Sequence, residues 1–147
     1  MGERDVYLDT SALAKRYLKE RDSDKVDELY RNAEMGKTKL HFSLWNIEEV
    51  CGVFDKHREN TNTKSDLELL LGESTRLVVS GRLNVMEISN DVVMRALEIV
   101  LKYHIYDADT LQLATAHIVG AKRFVTADKM LIRIAKKEGF DVIELAG

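Results

Sequence analysis

Short runs of apolar and β-branched residues alternate along the chain with longer segments whose apolar positions recur at helical spacing. Five of the short runs predict strands, at residues 5–9, 40–43, 84–88, 123–126 and 141–145. The longer segments predict helices at about residues 11–20, 24–34, 44–59, 65–80, 90–102, 108–119 and 128–138. Strands that alternate with helices predict an α/β fold with a mostly parallel sheet of about five strands, flanked by helices on both faces.

Several residues between these segments predict where helices begin and where loops lie. Ser23, Ser89 and Asp107 are placed as N-caps of the helices that follow them. The polar segment at residues 57–66 is the best candidate for a mobile loop between two helices. No repeat, linker or low-complexity tract interrupts the pattern, so we expect residues 1–147 to form a single domain.

Composition limits the classes of protein to consider. A chain of 147 residues with 45% hydrophobic and 32% charged residues, a mean hydropathy of -0.25 and no long apolar run is unlike a membrane protein. The first residues include Glu3, Arg4 and Asp5 and do not resemble a secretory signal. A lone cysteine, Cys51, cannot form an internal disulfide. These features predict a cytoplasmic protein without membrane contact.

Charge gives no direct indication of a nucleic-acid partner. The net charge is -3 and the pI is near 5.8, whereas proteins that bind phosphates usually have a basic face. However, acids that are gathered in one pocket would leave the remaining surface more basic than the total charge suggests.

Two aspartates follow predicted strands directly. In an open parallel sheet ligands bind beyond the carboxyl ends of the strands, and Asp9 and Asp128 both lie there, each at the start of a helix. Asp9 alone fits a helix N-cap equally well, although Thr10 and Ser11 can also cap that helix.

Two further pairs of acids belong to the same edge of the sheet. Glu48 and Glu49 lie early in a largely apolar helix after the second strand, and Asp107 and Asp109 begin another helix. Acids from four segments at one edge would repel one another, and a hard divalent cation such as Mg²⁺ or Mn²⁺ would relieve that repulsion. The four histidines show no pair at metal-binding helical spacing, which argues against zinc.

Four motifs together resemble the PIN domain, and most closely the VapC toxins of prokaryotic toxin–antitoxin pairs. They are LDTSAL with Asp9, NIEEVCGV with Glu49, YDADTLQLATA with Asp109 and FVTADKML with Asp128. The resemblance covers nearly the whole chain and selects Glu49 over Glu48 and Asp109 over Asp107. The sequence departs from the family pattern at Thr110, where alanine is usual, and in the extra acids Asp107 and Glu48.

The resemblance implies a three-layer α/β/α fold and an Mg²⁺- or Mn²⁺-dependent endoribonuclease that dimerises and is inhibited by a cognate antitoxin. We expect Asp9 and Asp109 to hold the metal directly, and Glu49 and Asp128 to complete the site through water or a second ion. Thr10, Ser11 and Thr126 are expected to cap helices and to orient the carboxylates. Candidate phosphate contacts are Lys15, Arg16, Lys122, Arg123, Lys129, Arg133, Lys136 and Lys137.

Two alternatives remain at this point. A non-catalytic module of the same fold would bind RNA or protein without cleaving it, but the intact set of four acids argues against this. A phosphatase of the haloacid dehalogenase type would carry a second aspartate two residues after the first, where this chain has Ser11. For the dimer we expect Tyr17, Leu18, Leu29 and Tyr30 to offer apolar surface, although ordinary core packing explains these residues as well. Tyr17 and Trp45 are also candidates for base stacking, although packing explains them as well.

Overall fold

A computed structural model describes residues 4–105 and 108–147 of the chain. Within these residues five strands alternate with seven helices. Their order is β1 (Asp5–Leu8), α1 (Thr10–Tyr17), α2 (Ser23–Glu34), β2 (Lys39–Ser43), α3 (Leu44–Lys56), α4 (Thr63–Val79), β3 (Leu83–Met86), α5 (Asn90–Tyr103), α6 (Asp109–Ile118), β4 (Arg123–Thr126), α7 (Lys129–Lys137) and β5 (Asp141–Glu144).

Every predicted strand and helix is present, and the differences lie at their ends. Helix α1 ends at Tyr17 rather than near residue 20, because Leu18 turns to an extended conformation while its N–H still bonds to the Ala14 carbonyl. Helix α4 begins at Thr63, capped by Asn62, so the loop before it is shorter than predicted. Ser89 caps α5 as predicted. Ser23 instead is the first residue of α2.

The sheet is parallel throughout, with the strand order β3-β2-β1-β4-β5. In the central strand, Tyr7 pairs with His41 of β2 on one side and with Phe124 of β4 on the other. The chain therefore builds outwards from β1 through β2 to β3, and then crosses back to add β4 and β5 on the other side. This reversal places a topological switch point at the carboxyl ends of β1 and β4, where open α/β sheets form their ligand crevice.

Helices cover both faces of the sheet, because successive side chains of each strand point to opposite sides. Val6 and Leu8 of β1 pack with helices α1 to α4, whereas Tyr7 packs with α5, α6 and α7. On the second face the rings of Tyr7 and Phe124 stack, with their centroids 5.3 Å apart. The expected three-layer α/β/α architecture is confirmed. Among the described helices, none is long and apolar enough to cross a membrane.

The apolar residues that we expected at a dimer surface are mostly in the core. Leu18, Leu29 and Tyr30 are 8%, 7% and 1% exposed, and all three belong to the cluster beneath helices α1 to α4. Tyr17 is half-buried, with its ring against Phe54. The predicted surface is therefore wrong, because the apolar faces of α1 and α2 are directed onto the sheet.

Candidate active site

The carboxylate of Asp9 lies at the switch point and is only 2% exposed. Its Oδ1 accepts hydrogen bonds from the Ser11 hydroxyl (2.7 Å) and from the backbone N–H of Ala12 (2.9 Å), and its Oδ2 accepts from the Thr126 hydroxyl. Asp9 is thus itself the N-cap of α1. The prediction that Thr10 and Ser11 cap this helix is wrong, because β1 ends one residue earlier than expected and both residues already lie in the helix.

Burial raises the pKa of Asp9 to about 6, although the three hydrogen bonds lower it; the charge of Asp128 raises it further. A carboxylate has about four acceptor positions, two on each oxygen. The described donors occupy both positions on Oδ1 and one on Oδ2. Oδ2 therefore keeps one position for a further ligand, and a bound cation would offset the cost of the buried charge.

Asp128 is joined to Asp9 through Thr126. The Thr126 hydroxyl donates to Asp9 and accepts from the backbone N–H of Asp128 at 3.0 Å. The side chain of Asp128 is exposed and caps α7 by accepting from the backbone N–H of Leu131 at 3.0 Å. Ser11 adds a second link, because its oxygen accepts from the backbone N–H of Ala127 at 2.9 Å. Ser11 and Thr126 thus orient Asp9, as expected.

Glu49 approaches the same place from helix α3. It is half-buried, and its Oε1 accepts a hydrogen bond from the Thr10 hydroxyl at 2.7 Å. The charges of Asp9 and Glu49 also act on one shared neighbour: the pKa of Tyr7 is raised by burial, then by Asp9 and by Glu49. Glu48 is exposed and lines a pocket of about 340 Å³ on another side of the helix, with Leu44 and Trp45. Glu49 rather than Glu48 therefore contacts the start of α1, and its role in the site stays a prediction.

Two buried side chains beside Glu49 were missed by the sequence analysis. Asn46 and Gln112 are 0% and 2% exposed, and both donate hydrogen bonds to the Thr10 hydroxyl oxygen, at 2.9 Å and 3.3 Å. The available signal was an amide side chain with an apolar neighbour on each side, which is typical of a buried polar group with a partner.

Asp109 is the first residue of α6 and is partly buried. Gln112, one helical turn further along, reaches Thr10 at the start of α1, so the first turn of α6 lies beside this end of the sheet. The N-cap position of α6 is Ala108. Asp107, which we expected to cap this helix, lies outside the described residues, and the choice between Asp107 and Asp109 stays a prediction.

The candidate metal ligands at this site are carboxylate oxygens, which Mg²⁺ and Mn²⁺ prefer. Within residues 4–105 and 108–147, no three acidic, histidine or cysteine side chains lie close enough together to hold a metal ion. Mg²⁺ is usually held through one or two carboxylates and keeps several waters. The buried Asp9, with one acceptor position remaining on Oδ2, fits an ion of this kind rather than one enclosed by protein ligands.

A pocket of about 310 Å³ adjoins the carboxylates. Its lining includes Ser11 and Asp128, the apolar residues Ala14, Val53 and Ala127, and the buried Lys15 with its partner Glu20. The Lys15 ammonium donates to the Arg21 carbonyl at 2.8 Å and contacts Glu20 at 3.3 Å.

Among the other residues predicted to contact RNA, some are held in contacts within the protein and others are exposed to solvent. Arg16 lies between Glu73 and Asp27, at 2.7 Å from each, and over the ring of Tyr30, so it has a structural role instead. Trp45 is half-buried and lines the pocket beside Glu48. Four of the predicted lysine and arginine contacts are exposed around helix α7: Lys129, Arg133, Lys136 and Lys137.

Comparison with known families agrees with this architecture. The model of the PIN domain matches residues 6–137. The chain belongs to the PIN domain family. This membership is inconsistent with the haloacid dehalogenase alternative. No curated protein matches the chain in sequence.

Solved structures with the same fold come from several toxin–antitoxin systems. VapBC2 from Rickettsia felis, bound to a promoter DNA fragment, has a TM-score of 0.69 at 18% identity, covering 95% of this chain and 98% of that chain. The Mycobacterium tuberculosis toxin VapC20, which cleaves the sarcin-ricin loop, has a TM-score of 0.69 at 14% identity with the same coverage. A Klebsiella pneumoniae toxin–antitoxin complex has a TM-score of 0.59 at 20% identity, covering 94% and 95%. At these identities the likeness concerns the fold.

Proposed function

We propose that this PIN domain protein is an Mg²⁺- or Mn²⁺-dependent endoribonuclease that hydrolyses RNA phosphodiester bonds. The observation that carries this proposal is Asp9, a buried carboxylate at the switch point whose pKa is raised to about 6. Burying such a charge costs stability, so its presence favours a role in chemistry over a role in capping alone. Membership of the PIN domain family supports a nuclease.

The four acids form two pairs with different roles in the proposed reaction. Asp9 and Asp109 would hold the metal, and Glu49 and Asp128 would complete the site through bound water. A cation held by these residues would supply a bound water of lowered pKa and would offset charge on the phosphate. Ser11 and Thr126 keep the Asp9 carboxylate oriented. A neighbouring carboxylate, Glu49 or Asp128, would accept the proton of the attacking water as the water oxygen bonds to phosphorus. The bond from phosphorus to the leaving ribose oxygen breaks, and that oxygen takes up a proton from solvent.

The RNA backbone would lie along the pocket beside Asp128. Lys15 lies in that pocket, ion-paired with Glu20, and Lys129 adds an exposed cation directly after Asp128. The exposed lysine and arginine residues further along α7 are candidate contacts for a longer RNA. Contacts of this kind bind RNA through its phosphates without reading its sequence.

We further propose that the protein is the toxin of a VapBC-type pair, acts in the cytoplasm, forms a homodimer and is inhibited by an antitoxin protein. The structural relatives from Rickettsia felis and Klebsiella pneumoniae are toxin–antitoxin complexes, which supports an antitoxin partner. Light scattering at high micromolar concentration tests the dimer, and a strictly monomeric mass would contradict it.

Incubating the purified protein with a structured RNA pool in Mg²⁺, Mn²⁺ or EDTA, and mapping the ends produced, tests the enzymatic activity. We expect internal cleavage in at least one metal and none in EDTA. Glu49→Gln should abolish cleavage, whereas the adjacent Glu48→Gln, on the exposed side of α3, should retain most of it.

The alternative is a non-catalytic PIN-fold module that binds RNA or protein. It predicts RNA retention on a filter without cleavage in either metal, and equal behaviour of the two glutamate variants. That combination of results would contradict the nuclease proposal and support the non-catalytic module.

A further inference from the structure

A buried polar network connects the core of the protein to Glu49. It consists of Tyr7 on β1, Thr10 on α1, Asn46 on α3 and Gln112 on α6. Tyr7 and Asn46 are 0% exposed and Gln112 is 2% exposed. Buried polar side chains are costly unless their hydrogen bonds are made, so the direction of each bond can be derived from the inventory of donors and acceptors.

The backbone N–H of Ser43 sets the orientation of Asn46. This N–H can only donate, and it lies 2.7 Å from Asn46 Oδ1. The Tyr7 hydroxyl lies 3.0 Å from the same oxygen and 3.4 Å from Gln112 Oε1, and its single proton is directed to the nearer acceptor, Asn46 Oδ1. The amide nitrogen of Asn46 therefore points the other way, and its two hydrogens are directed to Thr10 Oγ1 at 2.9 Å and to Gln112 Oε1 at 2.6 Å. All four hydrogen-bonding positions of Asn46 are used.

The orientation of Gln112 follows from that of Asn46. Because Gln112 Oε1 accepts from Asn46, its amide nitrogen faces Thr10 and donates to Oγ1 at 3.3 Å. The Thr10 oxygen thus accepts from two amides, which uses both of its acceptor positions. Its single proton then has one direction left, towards Glu49 Oε1 at 2.7 Å.

We propose that Asn46 and Gln112 are positioning residues of the active site, which fix the Thr10 hydroxyl as a donor to Glu49. This inference rests on the proposed function. Because both amides are buried, they would act through Thr10 and not on RNA or metal directly. The Thr10 hydroxyl holds the Glu49 carboxylate on the side of α3 that faces α1. Without the two amides the hydroxyl would rotate, and the carboxylate would lose its fixed position.

Gln112→Met is the informative substitution. Methionine keeps the length and shape of the side chain but removes the amide. Asn46 is less suitable, because its side chain also forms the capping box that starts α3, and its replacement would damage that helix. Thr10→Val removes the hydroxyl at nearly constant volume, and Thr10→Ser keeps it.

The measurements are kcat and KM on an RNA that the wild type cleaves, together with Mn²⁺ affinity by calorimetry. We expect Gln112→Met and Thr10→Val each to lower kcat about tenfold with KM for RNA nearly unchanged, as for a residue that orients a catalytic group. Mn²⁺ affinity should fall several-fold in both. Thr10→Ser should restore kcat and Mn²⁺ affinity to near the wild-type values.

The double variant separates positioning from general loss of stability. Because both residues act through one hydroxyl, Thr10→Val with Gln112→Met should cost no more kcat than Thr10→Val alone. Thr38→Val is the matched control: Thr38 is 3% exposed but precedes β2, at the opposite edge of the sheet, and its loss should leave kcat and Mn²⁺ affinity unchanged.

Three outcomes would overturn the inference: wild-type kcat and Mn²⁺ affinity in Gln112→Met, multiplied losses in the double variant, or an equal loss in Thr38→Val. If the proposed function is wrong, the wild type itself will neither cleave RNA nor bind Mn²⁺, and the positioning role is then contradicted as well. If the wild type binds Mn²⁺ without cleaving RNA, the Mn²⁺ affinities of the variants alone test the positioning role.

Discussion

At the scale of single residues, Asp9 combines a helix cap with a buried charge. Its Oδ1 satisfies the N–H of Ala12 in the first turn of α1, which an asparagine or serine would do equally well. What capping does not explain is the raised pKa of Asp9, which follows from burial and, to a smaller extent, from Asp128. In the absence of a cation, the native state at neutral pH therefore contains a destabilising charge.

Asp9→Asn should stabilise the folded protein in EDTA. The rise in the pKa of Asp9 from 3.8 to about 6 corresponds to a loss of about 3 kcal/mol in the free energy of unfolding at pH 8. Asparagine removes this loss and still caps the helix. Because asparagine makes weaker hydrogen bonds than a carboxylate, we expect a net gain of about 1–3 kcal/mol in the free energy of unfolding, measured with urea. Asp128→Asn, at an exposed N-cap, should change it by less than about 0.5 kcal/mol.

The pH dependence provides a second check on Asp9. Between pH 3.8 and about 6 the folded state holds a proton that the unfolded state releases, so this group lowers stability as pH rises through that window. The difference between Asp9→Asn and the wild type should therefore be small below pH 4 and reach its full size above about pH 7. A difference that is constant across this range would show that burial does not penalise the Asp9 charge.

At the scale of helices and strands, the hydrophobic pattern predicted every element, because the helices turn apolar residues towards the core and the strands are short runs rich in apolar residues. The ends were harder to predict. One residue decides whether Asp9 or Thr10 caps α1, and the pattern of β1 does not determine where that strand stops. The apolar residues of α1 and α2 were correctly recognised, but sequence could not show that Leu18 and Tyr30 face the core. Asn46 and Gln112 lie far apart in the chain, so only the folded packing reveals their contact.

Glu138 forms hydrogen bonds that connect the end of α7 to helices α5 and α6. It follows α7 and accepts hydrogen bonds from Lys102 at 2.9 Å, from the Tyr103 hydroxyl and from His117 Nε2 at 3.0 Å. Burial alone would raise the pKa of Glu138, but these donors lower it to about 2. A depressed pKa means that the ionised group stabilises the native state above the unfolded value of 4.5.

Glu138→Gln should therefore lower the free energy of unfolding at pH 7 by about 1–3 kcal/mol, because one charged acceptor serves three donors. The loss should shrink as pH falls from 4.5 towards 2, where the wild-type carboxyl becomes protonated. Glu144→Gln is the control: this exposed side chain forms an ion pair with Lys136 at 2.8 Å, and its loss should cost less than about 0.5 kcal/mol. Equal effects of the two substitutions would show that the Glu138 contacts add no stability.

At the scale of the whole molecule, the strand order determines where the acids meet. Asp9 follows β1 and Asp128 follows β4, the two strands on either side of the switch point. Sequence spacing predicted that both lie at strand ends, but not that Thr126 joins them. The placement of Asp109 beside Asp9 around a metal ion stays a prediction, because the four acids belong to separate segments whose exact spacing depends on the ion that they would bind. The homodimer also stays a prediction.

Adding Mg²⁺ or Mn²⁺ should raise the melting temperature of the whole protein. An ion that binds only the native state stabilises it by about 2.7 kcal/mol at a concentration of 100 times Kd. For a chain of 147 residues this corresponds to roughly 5–10 °C, measured by calorimetry against NaCl at equal ionic strength. Glu48→Gln should keep this shift. Asp9→Asn should begin from a higher melting temperature in EDTA and show little further rise, because the buried charge that the cation offsets is gone. The same rise in NaCl, or an unreduced rise in Asp9→Asn, would mean that the cation acts on general surface charge and not at the switch point.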